Sequence, residues 1–532
     1  MLPSKNSKII VSAGLAVALV LIAAFVFVGW HWPFRRDAVL QELEKASQSK
    51  VGVDHFHATY FPSPGCVLEN VRFQHNPAAG SPPLITIQRL RIESSFFGLF
   101  AKRLRRISAE GLHLLIPAKG SEHFQTPERS RFEIEDLIAD GAVLEVASRN
   151  VDKPPLKFSF YHFVLSSIGS KVPASFHANF SNPQPPGEII ASGKFGPWNP
   201  DDAAKTAVSG AYLFQHADLG VFRGIAGQLF SSGKFAGTLR SMEVQGGTDS
   251  PRFSVTSSSH QVELRTQFHA VVNGDNGDTL LQRVAASFRK TTVWTEGNVA
   301  GADGQRGKTA SLELTTKNGR IQDFLLLFVR SPRAPLSGAV SFHAKVSIPP
   351  GKQKFLERVQ LEGDFGIDSA SFTKFETQQD VNHLSEGALG DENSHPAEKE
   401  NYGDDFDTVL SDLKGHVVLK DGTAKFSNLS FTVPGAWAQM QGTYNLLTEA
   451  IDLHGSLRTD SEPSKSTHGV KTLLLKVLQP LFKKKRAGYM MPVRITGTYD
   501  HPSFGLDLGN PDSKRAVKEN AHAVRKQEAG SH

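Results

Sequence analysis

Residues 262–270 read VELRTQFHA. Successive side chains of an extended chain point to opposite faces, so Val262, Leu264 and Phe268 share one face and the charged side chains share the other. This period of two is typical of a β-strand that packs one face against apolar groups and turns the other towards water. The stretch therefore predicts a sheet with one apolar face.

The same alternation recurs between residues 51 and 508. Dipeptides such as Asn273-Gly274 and Asn318-Gly319 separate the alternating segments, and such pairs favour tight hairpin turns. We therefore predict a mainly β fold: an N-terminal transmembrane helix, then a long, curved, antiparallel, repeat-type sheet that forms an apolar groove, with a few short helices. The residues predicted to line the groove are Leu112, Leu114, Ile116, Val262, Leu264, Phe268, Leu429, Phe431, Val433, Ile451 and Leu453.

The sheet segments contain a weak internal repeat. Residues 192–195 and 232–235 both read SGKF, and further glycines recur at similar places in later segments. We interpret the repeat as a series of sheet strands, each beginning just after its glycine. A phosphate-binding loop is a poor alternative, because phenylalanine follows each lysine where that loop needs serine or threonine.

Few segments have the helical pattern that could cover so large a sheet. Because an apolar sheet face has to be buried against another layer, the chain either folds into a sandwich or curves into a trough with an apolar lining. The 36 phenylalanines, against 7 tyrosines and 5 tryptophans, favour the trough, since phenylalanine has no polar group to satisfy. A phenylalanine-rich core would have the same composition, so composition leaves both arrangements open.

Residues 9–30 read IIVSAGLAVALVLIAAFVFVGW and contain no charged side chain. As a helix they span roughly 33 Å, enough to cross a bilayer core of about 30 Å. A cleaved signal peptide has a shorter apolar region and small residues at its cleavage site, whereas residues 29–36 are bulky. We predict an uncleaved single-pass anchor, with apolar positions Ile9, Ile10, Val11, Leu15, Leu19, Leu21, Ile22, Phe25, Phe27 and Trp30.

The cysteine content indicates the compartment in which the chain folds. A single cysteine in 532 residues excludes an intramolecular disulfide, which suits a bacterial periplasm better than an animal secretory route. The predicted divisions are residues 1–8 as a cytoplasmic tail, 9–30 as the anchor, 31–50 as a juxtamembrane helix, 51–375 as the N-terminal and central β-groove, 376–407 as a flexible insertion, 408–510 as a C-terminal β region with a helix at 469–486, and 511–532 as a disordered tail.

Residues 469–486 have apolar side chains at helical spacing and end in four basic residues. Two interpretations stay open: a helix that lies on an anionic membrane surface, or a helix that caps the sheet with its lysines near the negative end of its dipole. The residues assigned to the membrane-surface interpretation are Leu474, Leu478, Phe482, Lys483, Lys484, Lys485 and Arg486.

A second apolar segment, residues 321–329, predicts either a short apolar helix or a buried strand.

Nothing in the sequence indicates catalysis. His55 and His57 are two residues apart, but no carboxylate or cysteine stands nearby at ligand spacing, so we interpret them as part of a polar strand face. The formal net charge of +6 is small for this length, and no basic stripe with interleaved aromatic residues is present. We therefore predict no enzyme activity, no cofactor, no metal site and no nucleic-acid partner.

Several strand-and-turn segments carry a family likeness: residues 51–73, 182–198, 217–237, 358–372, 413–457 and 491–504. On these segments the chain resembles the AsmA-like family of bacterial envelope proteins. The C-terminal pair, LKGHVVLKDGTAKFSNLSFTVPGAWAQMQGTYNLLTEAIDLHGSL and MPVRITGTYDHPSF, is the most specific part of the match. The family pattern has no catalytic positions.

The resemblance implies an inner-membrane protein with most of its chain in the periplasm. Its implied role is to carry phospholipid or another acyl lipid between envelope membranes, or to support outer-membrane biogenesis, with other envelope proteins as further partners. One alternative is a non-enzymatic scaffold or chaperone for outer-membrane protein assembly, whose sheet edge pairs with clients. A third hypothesis is an enzyme, or its regulatory subunit, that acts on envelope polymers.

Overall fold

A computed structural model of the chain describes residues 34–47, 49–74, 83–101, 103–116, 133–146, 155–169, 172–199, 202–258, 260–274, 276–302, 307–373, 411–433, 436–459, 489–498 and 501–507. The predicted tail at 1–8, anchor at 9–30, insertion at 376–407, basic helix at 469–486 and tail at 511–532 lie outside these residues. Among the helices that are described, none is long and apolar enough to cross a membrane.

The fold is mainly β, as predicted, with one sheet of 26 strands in the described residues. The strands are β1 Lys50–Gly52, β2 His55–Thr59, β3 Gly65–Gln74, β4 Ile85–Ser94, β5 Arg103–Glu110, β6 His113–Ile116, β7 Glu133–Val146, β8 Leu156–Ile168, β9 Ala174–Pro183, β10 Pro186–Phe195, β11 Ala207–Asp218, β12 Ile225–Ala226, β13 Gln228–Thr238, β14 Ser241–Val255, β15 Val262–Asn273, β16 Thr279–Phe288, β17 Thr291–Gly301, β18 Lys308–Arg320, β19 Leu336–Ile348, β20 Gln360–Phe372, β21 Ser411–Lys420, β22 Thr423–Val433, β23 Ala436–Asn445, β24 Ala450–Thr459, β25 Tyr489–Thr498 and β26 Pro502–Leu506. The helices are α1 Arg36–Ser47, α2 Phe96–Ala101, α3 Ile321–Phe328 and α4 Phe355–Arg358, with 3₁₀ turns at Ala203–Lys205 and Leu219–Val221.

From β7 to β26 the sheet is a meander. Each strand pairs antiparallel with the next, except that β13 joins β11 directly and the short β12 pairs with β14. The ladder continues from β20 to β21 and from β24 to β25, although residues 374–410 and 460–488 separate these strands in the chain. Both long connections therefore join strands that are neighbours in the sheet.

The prediction of an entirely antiparallel sheet is wrong at β7, so the sheet is mixed. Both β5 and β6 pair antiparallel with β4 and parallel with β7, like one strand broken at Gly111. Parallel neighbours need a crossover of about a dozen residues or more, and residues 117–132 supply that length. Side-chain alternation reports which face a residue occupies and carries no information on strand direction, so the sequence pattern could not reveal this change.

Contacts between connections that are several strands apart in the meander indicate that the sheet coils. The backbone N–H of Phe355, after β19, donates to the carbonyl of Arg223, before β13, at 2.8 Å, and the Arg223 guanidinium donates to the carbonyl of Lys352 at 2.9 Å. Further along, the N–H of Arg330 donates to the Glu449 carboxylate at 3.3 Å. A twist of about 20–25° per strand accumulates to more than a right angle over this number of strands, so a coiled sheet is expected.

The most deeply buried core lies at the N-terminal end of the sheet. There α1, within the range predicted for a juxtamembrane helix, packs Val39 and Leu43 onto apolar residues of β1 to β7. Smaller clusters form where α3 lies on the sheet. Residues 321–329 could be a helix or a strand from sequence, and they form helix α3.

Candidate functional site: the apolar face of the sheet

Strand registers align uncharged, mostly apolar residues in a continuous row across the sheet. The row takes one position from each strand between β3 and β26, apart from the short β6 and β12, and contains no charged residue. We call it the apolar row. Its members in spatial order are Leu68, Leu90, Ala109, Ala139, Phe163, Ala178, Ala191, Tyr212, Gly233, Gly246, Phe268, Val284, Thr295, Leu314, Ala344, Gly363, Val417, Phe426, Gly442, Leu453, Ile495 and Phe504.

The residues predicted to line the groove fall on this same face. Phe268 and Leu453 belong to the apolar row, and the other strand members lie beside it on the same face, some of them beyond a β-bulge such as the one between Phe426 and Leu429. The neighbours with described side chains are Leu114 in β6, Val262 and Leu264 in β15, Leu429 and Phe431 in β22, and Ile451 in β24, while Leu112 directly precedes β6. Ile116 and Val433 continue β6 and β22 in register, and their side chains lie outside the described part.

The degree of cover changes along the face. In the N-terminal strands Leu68 and Leu90 are 0% exposed beneath α1 and its neighbours, and Leu112 and Leu114 belong to that covered cluster. In β10, β11 and β13 the pattern differs, because half-buried positions on the apolar face alternate with exposed positions on the other. A second layer would bury those apolar positions fully, so within the described residues no layer covers this part of the face.

Aromatic rings lie over glycines of adjacent strands on this face. A methyl group at Gly210 would stand 2.9 Å from the ring of Phe235 and would collide with the carbonyl of Ser192. A methyl group at Gly246 would likewise stand 3.2 Å from the ring of Phe268. The absence of a side chain therefore lets each ring lie close to the sheet, which gives the face a low, smooth surface.

The positions of the repeat glycines in the structure correct the interpretation of the sequence repeat. The sequence was expected to start each strand after its glycine, but Gly193, Gly233, Gly297 and Gly442 lie inside strands β10, β13, β17 and β23. Glycine inside a strand often marks a close approach of a neighbouring group. At these positions the close group is the backbone of the next strand, which only the register reveals.

A depression of about 810 Å³ lies over β16 to β21. Its apolar lining includes Leu281, Leu312, Val346, Leu361 and Leu419, which lie in register along the six strands β16 to β21, with Gly297 at the β17 position. Ligand sites commonly have volumes of about 300–1,000 Å³, so the depression is large enough for an extended apolar ligand.

Helix α3 closes one end of the uncovered face. The ring of Phe324 packs edge-on against Phe288 and Phe342, with centroid distances of 5.3 and 5.2 Å. The buried Asp323 carboxylate accepts a hydrogen bond from the Thr291 hydroxyl at 2.8 Å, which ties the helix to β17. The apolar face is therefore bounded by α1 at the N-terminal strands and by α3 over the middle strands.

The opposite face carries charged and polar side chains, many in cross-strand pairs. His454 hydrogen-bonds through Nδ1 to Asp507 at 2.9 Å and through Nε2 to Asp452 at 2.7 Å. Partial burial opposes the charged imidazole, but the two carboxylates outweigh it and raise the pKa of His454 above its ordinary value. This face is solvated, and its ion pairs connect neighbouring strands.

The two histidines of β2 and the cysteine of β3 are each described by their exposure. His55 and His57 are both exposed on β2, beside each other on its polar face. Across the described ranges, no group of three histidine, cysteine or acidic side chains could hold a metal ion. Cys66 is buried, and burial raises the pKa of its thiol, which makes it unreactive.

Comparison with known proteins gives no family assignment. No family model matches the chain, and no curated protein is similar to it.

Proposed function

We propose that this protein is a lipid carrier, anchored in the bacterial inner membrane, that moves phospholipid or another acyl lipid along the apolar face of its periplasmic sheet. The observation that carries the proposal is the apolar row, which is free of charge and lacks a covering layer over β10, β11 and β13 within the described residues. Soluble proteins rarely leave so much contiguous apolar surface open unless it binds something.

The apolar face suits acyl chains energetically. Each buried CH₂ contributes about 0.8 kcal/mol, so one sixteen-carbon chain resists transfer into water by roughly 12 kcal/mol. That is about nine powers of ten in the equilibrium constant. An apolar surface with an open side removes most of this barrier for the chain and leaves the head group in water.

Movement needs many weak sites of similar affinity, because one deep site would retain the lipid. The apolar row meets this need, since small, aliphatic and aromatic residues are interspersed along it and the rings of Phe235 and Phe268 lie close to the backbone. With strands about 4.8 Å apart, the row from β3 to β26 extends for about 100 Å. Lipid would then advance by short steps between neighbouring strands.

Membrane attachment and envelope location rest on the sequence. The apolar run at residues 9–30 has the length of a membrane-spanning helix, and the resemblance to AsmA-like proteins supports the same orientation, with the sheet in the periplasm. A chaperone role through strand pairing has weaker support at the C-terminal edge, because the last described strand, β26, has only 5 residues. Short edges limit the backbone available to a client strand.

Lipid bound to the purified protein tests the proposal. We expect the full chain, isolated in mild detergent and transferred to lipid-free buffer with amphipol, to retain phospholipid detectable by native mass spectrometry. Retention of more than one lipid per chain would agree with repeated sites along the row. A chain that is free of lipid and fails to take up added phospholipid would refute the proposal.

A further inference from the structure

Four aromatic side chains are exposed together at one end of the N-terminal strands. Tyr60 and Phe61 lie in the β2–β3 connection with exposures of 61% and 85%, and Phe96 and Phe97 begin α2 with exposures of 51% and 89%. The two connections are adjacent, because the N–H of Ser94 donates to the carbonyl of Pro64 at 2.8 Å. We call these four residues the aromatic edge.

The local structure holds the α2 part of the aromatic edge in place. The buried Ser94 hydroxyl donates to the carbonyl of Arg103 at 2.8 Å, and the Ser95 hydroxyl accepts from the N–H of Gly98 at 2.9 Å. A side chain at Gly98 would stand 2.6 Å from that same Arg103 carbonyl, so α2 packs tightly against the start of β5. The exposure of Phe97 is therefore a feature of the fold.

Exposed aromatic clusters mark a contact with another apolar phase. Burying a phenylalanine contributes about 1.5–3 kcal/mol. Transfer of the exposed side chains of Phe61 and Phe97 from water into an apolar phase would therefore be favourable by several kcal/mol. Other exposed apolar side chains, such as Leu213 and Trp437, lie singly on the polar face of their strands. Aromatic residues are characteristic of the water–membrane boundary.

The path of the chain identifies a bilayer as the partner. Phe34 is buried in the same cluster that Phe56 packs against, and Phe56 lies in β2, five residues before Phe61. Trp30 and Phe34 are four positions apart in the chain, a reach of at most about 14 Å. If residues 9–30 span the membrane, as the proposed function requires, the first strands lie within a short distance of its surface.

We propose that the aromatic edge inserts into the membrane–water interface and fixes the orientation of the sheet on the bilayer. This inference rests on the membrane anchor of the proposed function and is independent of lipid binding to the apolar row. Arg105, exposed on β5 just beyond α2, stands where it can meet anionic head groups. The sheet would then be held at two points, the anchor and the aromatic edge.

Site-directed labelling in vesicles tests the inference. Because Cys66 is buried and unreactive, a cysteine introduced as Phe61→Cys or Phe97→Cys in the full chain is the selective site for a fluorophore. The control is Leu213→Cys, at a residue that is 45% exposed on the polar face of β11. The vesicles contain phosphatidylethanolamine and phosphatidylglycerol, with a nitroxide on one acyl chain as quencher.

We expect the labels at 61 and 97 to be quenched several-fold more by the lipid nitroxide than the label at 213, and to be shielded from aqueous iodide. If the chain floats with vesicles while all three labels remain open to iodide, the aromatic edge does not touch the bilayer and the inference fails, although the anchor stands. If the labels become shielded only when envelope proteins are added, the partner is a protein and the inference also fails. A chain that does not float at all overturns the anchor together with this inference.

Discussion

Replacing Phe268 with glutamate should reduce the lipid bound by the full chain at least tenfold while the chain stays folded. Phe268 lies near the middle of the apolar row, between Gly246 and Val284, and the facing positions carry no charge to pair with a carboxylate. An acyl chain lying across that carboxylate would strip its water, at a cost of several kcal/mol. Since about 1.4 kcal/mol is a factor of ten, occupancy of the central row should collapse. Native mass spectrometry of the bound lipid measures the loss.

The neighbouring residue supplies a matched control. Gln267 precedes Phe268 on the same strand and is exposed on the opposite face, so Gln267→Glu introduces the same charge one position away. We expect this variant to bind as much lipid as the unaltered chain. Equal losses in the two variants would mean that charge acts through general destabilisation, and no loss in either would mean that lipid does not use this face.

Replacing Leu90 with alanine should cost about 2–5 kcal/mol of unfolding free energy, the usual range for a fully buried leucine. Leu90 is 0% exposed within the N-terminal cluster. Phe235→Ala, at a half-buried residue on the uncovered part of the same face, should cost only about 1–1.5 kcal/mol, half of a full burial term. Denaturant unfolding of both variants, followed by circular dichroism, measures the difference.

The comparison decides whether the central face is open. If Phe235→Ala is as costly as Leu90→Ala, a further layer covers β13 in solution, and the apolar row cannot receive lipid there. A small loss of unfolding free energy for Phe235→Ala, together with a large loss for Leu90→Ala, means that the face is covered at the N-terminal strands and open at β13.

The strands were predictable because each shows its own alternation. In residues 262–270 the side chains that alternate in sequence also alternate in burial, and they form β15. The helix at α3 was one of two predicted alternatives, since a short apolar run satisfies either structure until its neighbours are known.

Other features depended on contacts between distant residues. Leu114 and Phe268 look alike in sequence, yet Leu114 is 5% exposed in the cluster beneath α1, while Phe268 is half-buried. The pairing of Gly210 with Gly193 becomes visible only in the register, and so does the parallel β7. The aromatic edge could have been noticed as the pairs Tyr60-Phe61 and Phe96-Phe97, but their exposure and proximity required the fold.

Photocrosslinking along the apolar row tests the central claim most directly. A photoreactive amino acid is placed singly at Tyr212, Phe268, Leu314 and Leu453 on the row, and at Leu213, Trp294 and Trp437 on the opposite face, in full chains expressed in a bacterial envelope. We predict phospholipid adducts at all four row positions and none at the three opposite positions. Adducts at both faces alike, or protein adducts alone along the row, would contradict the account.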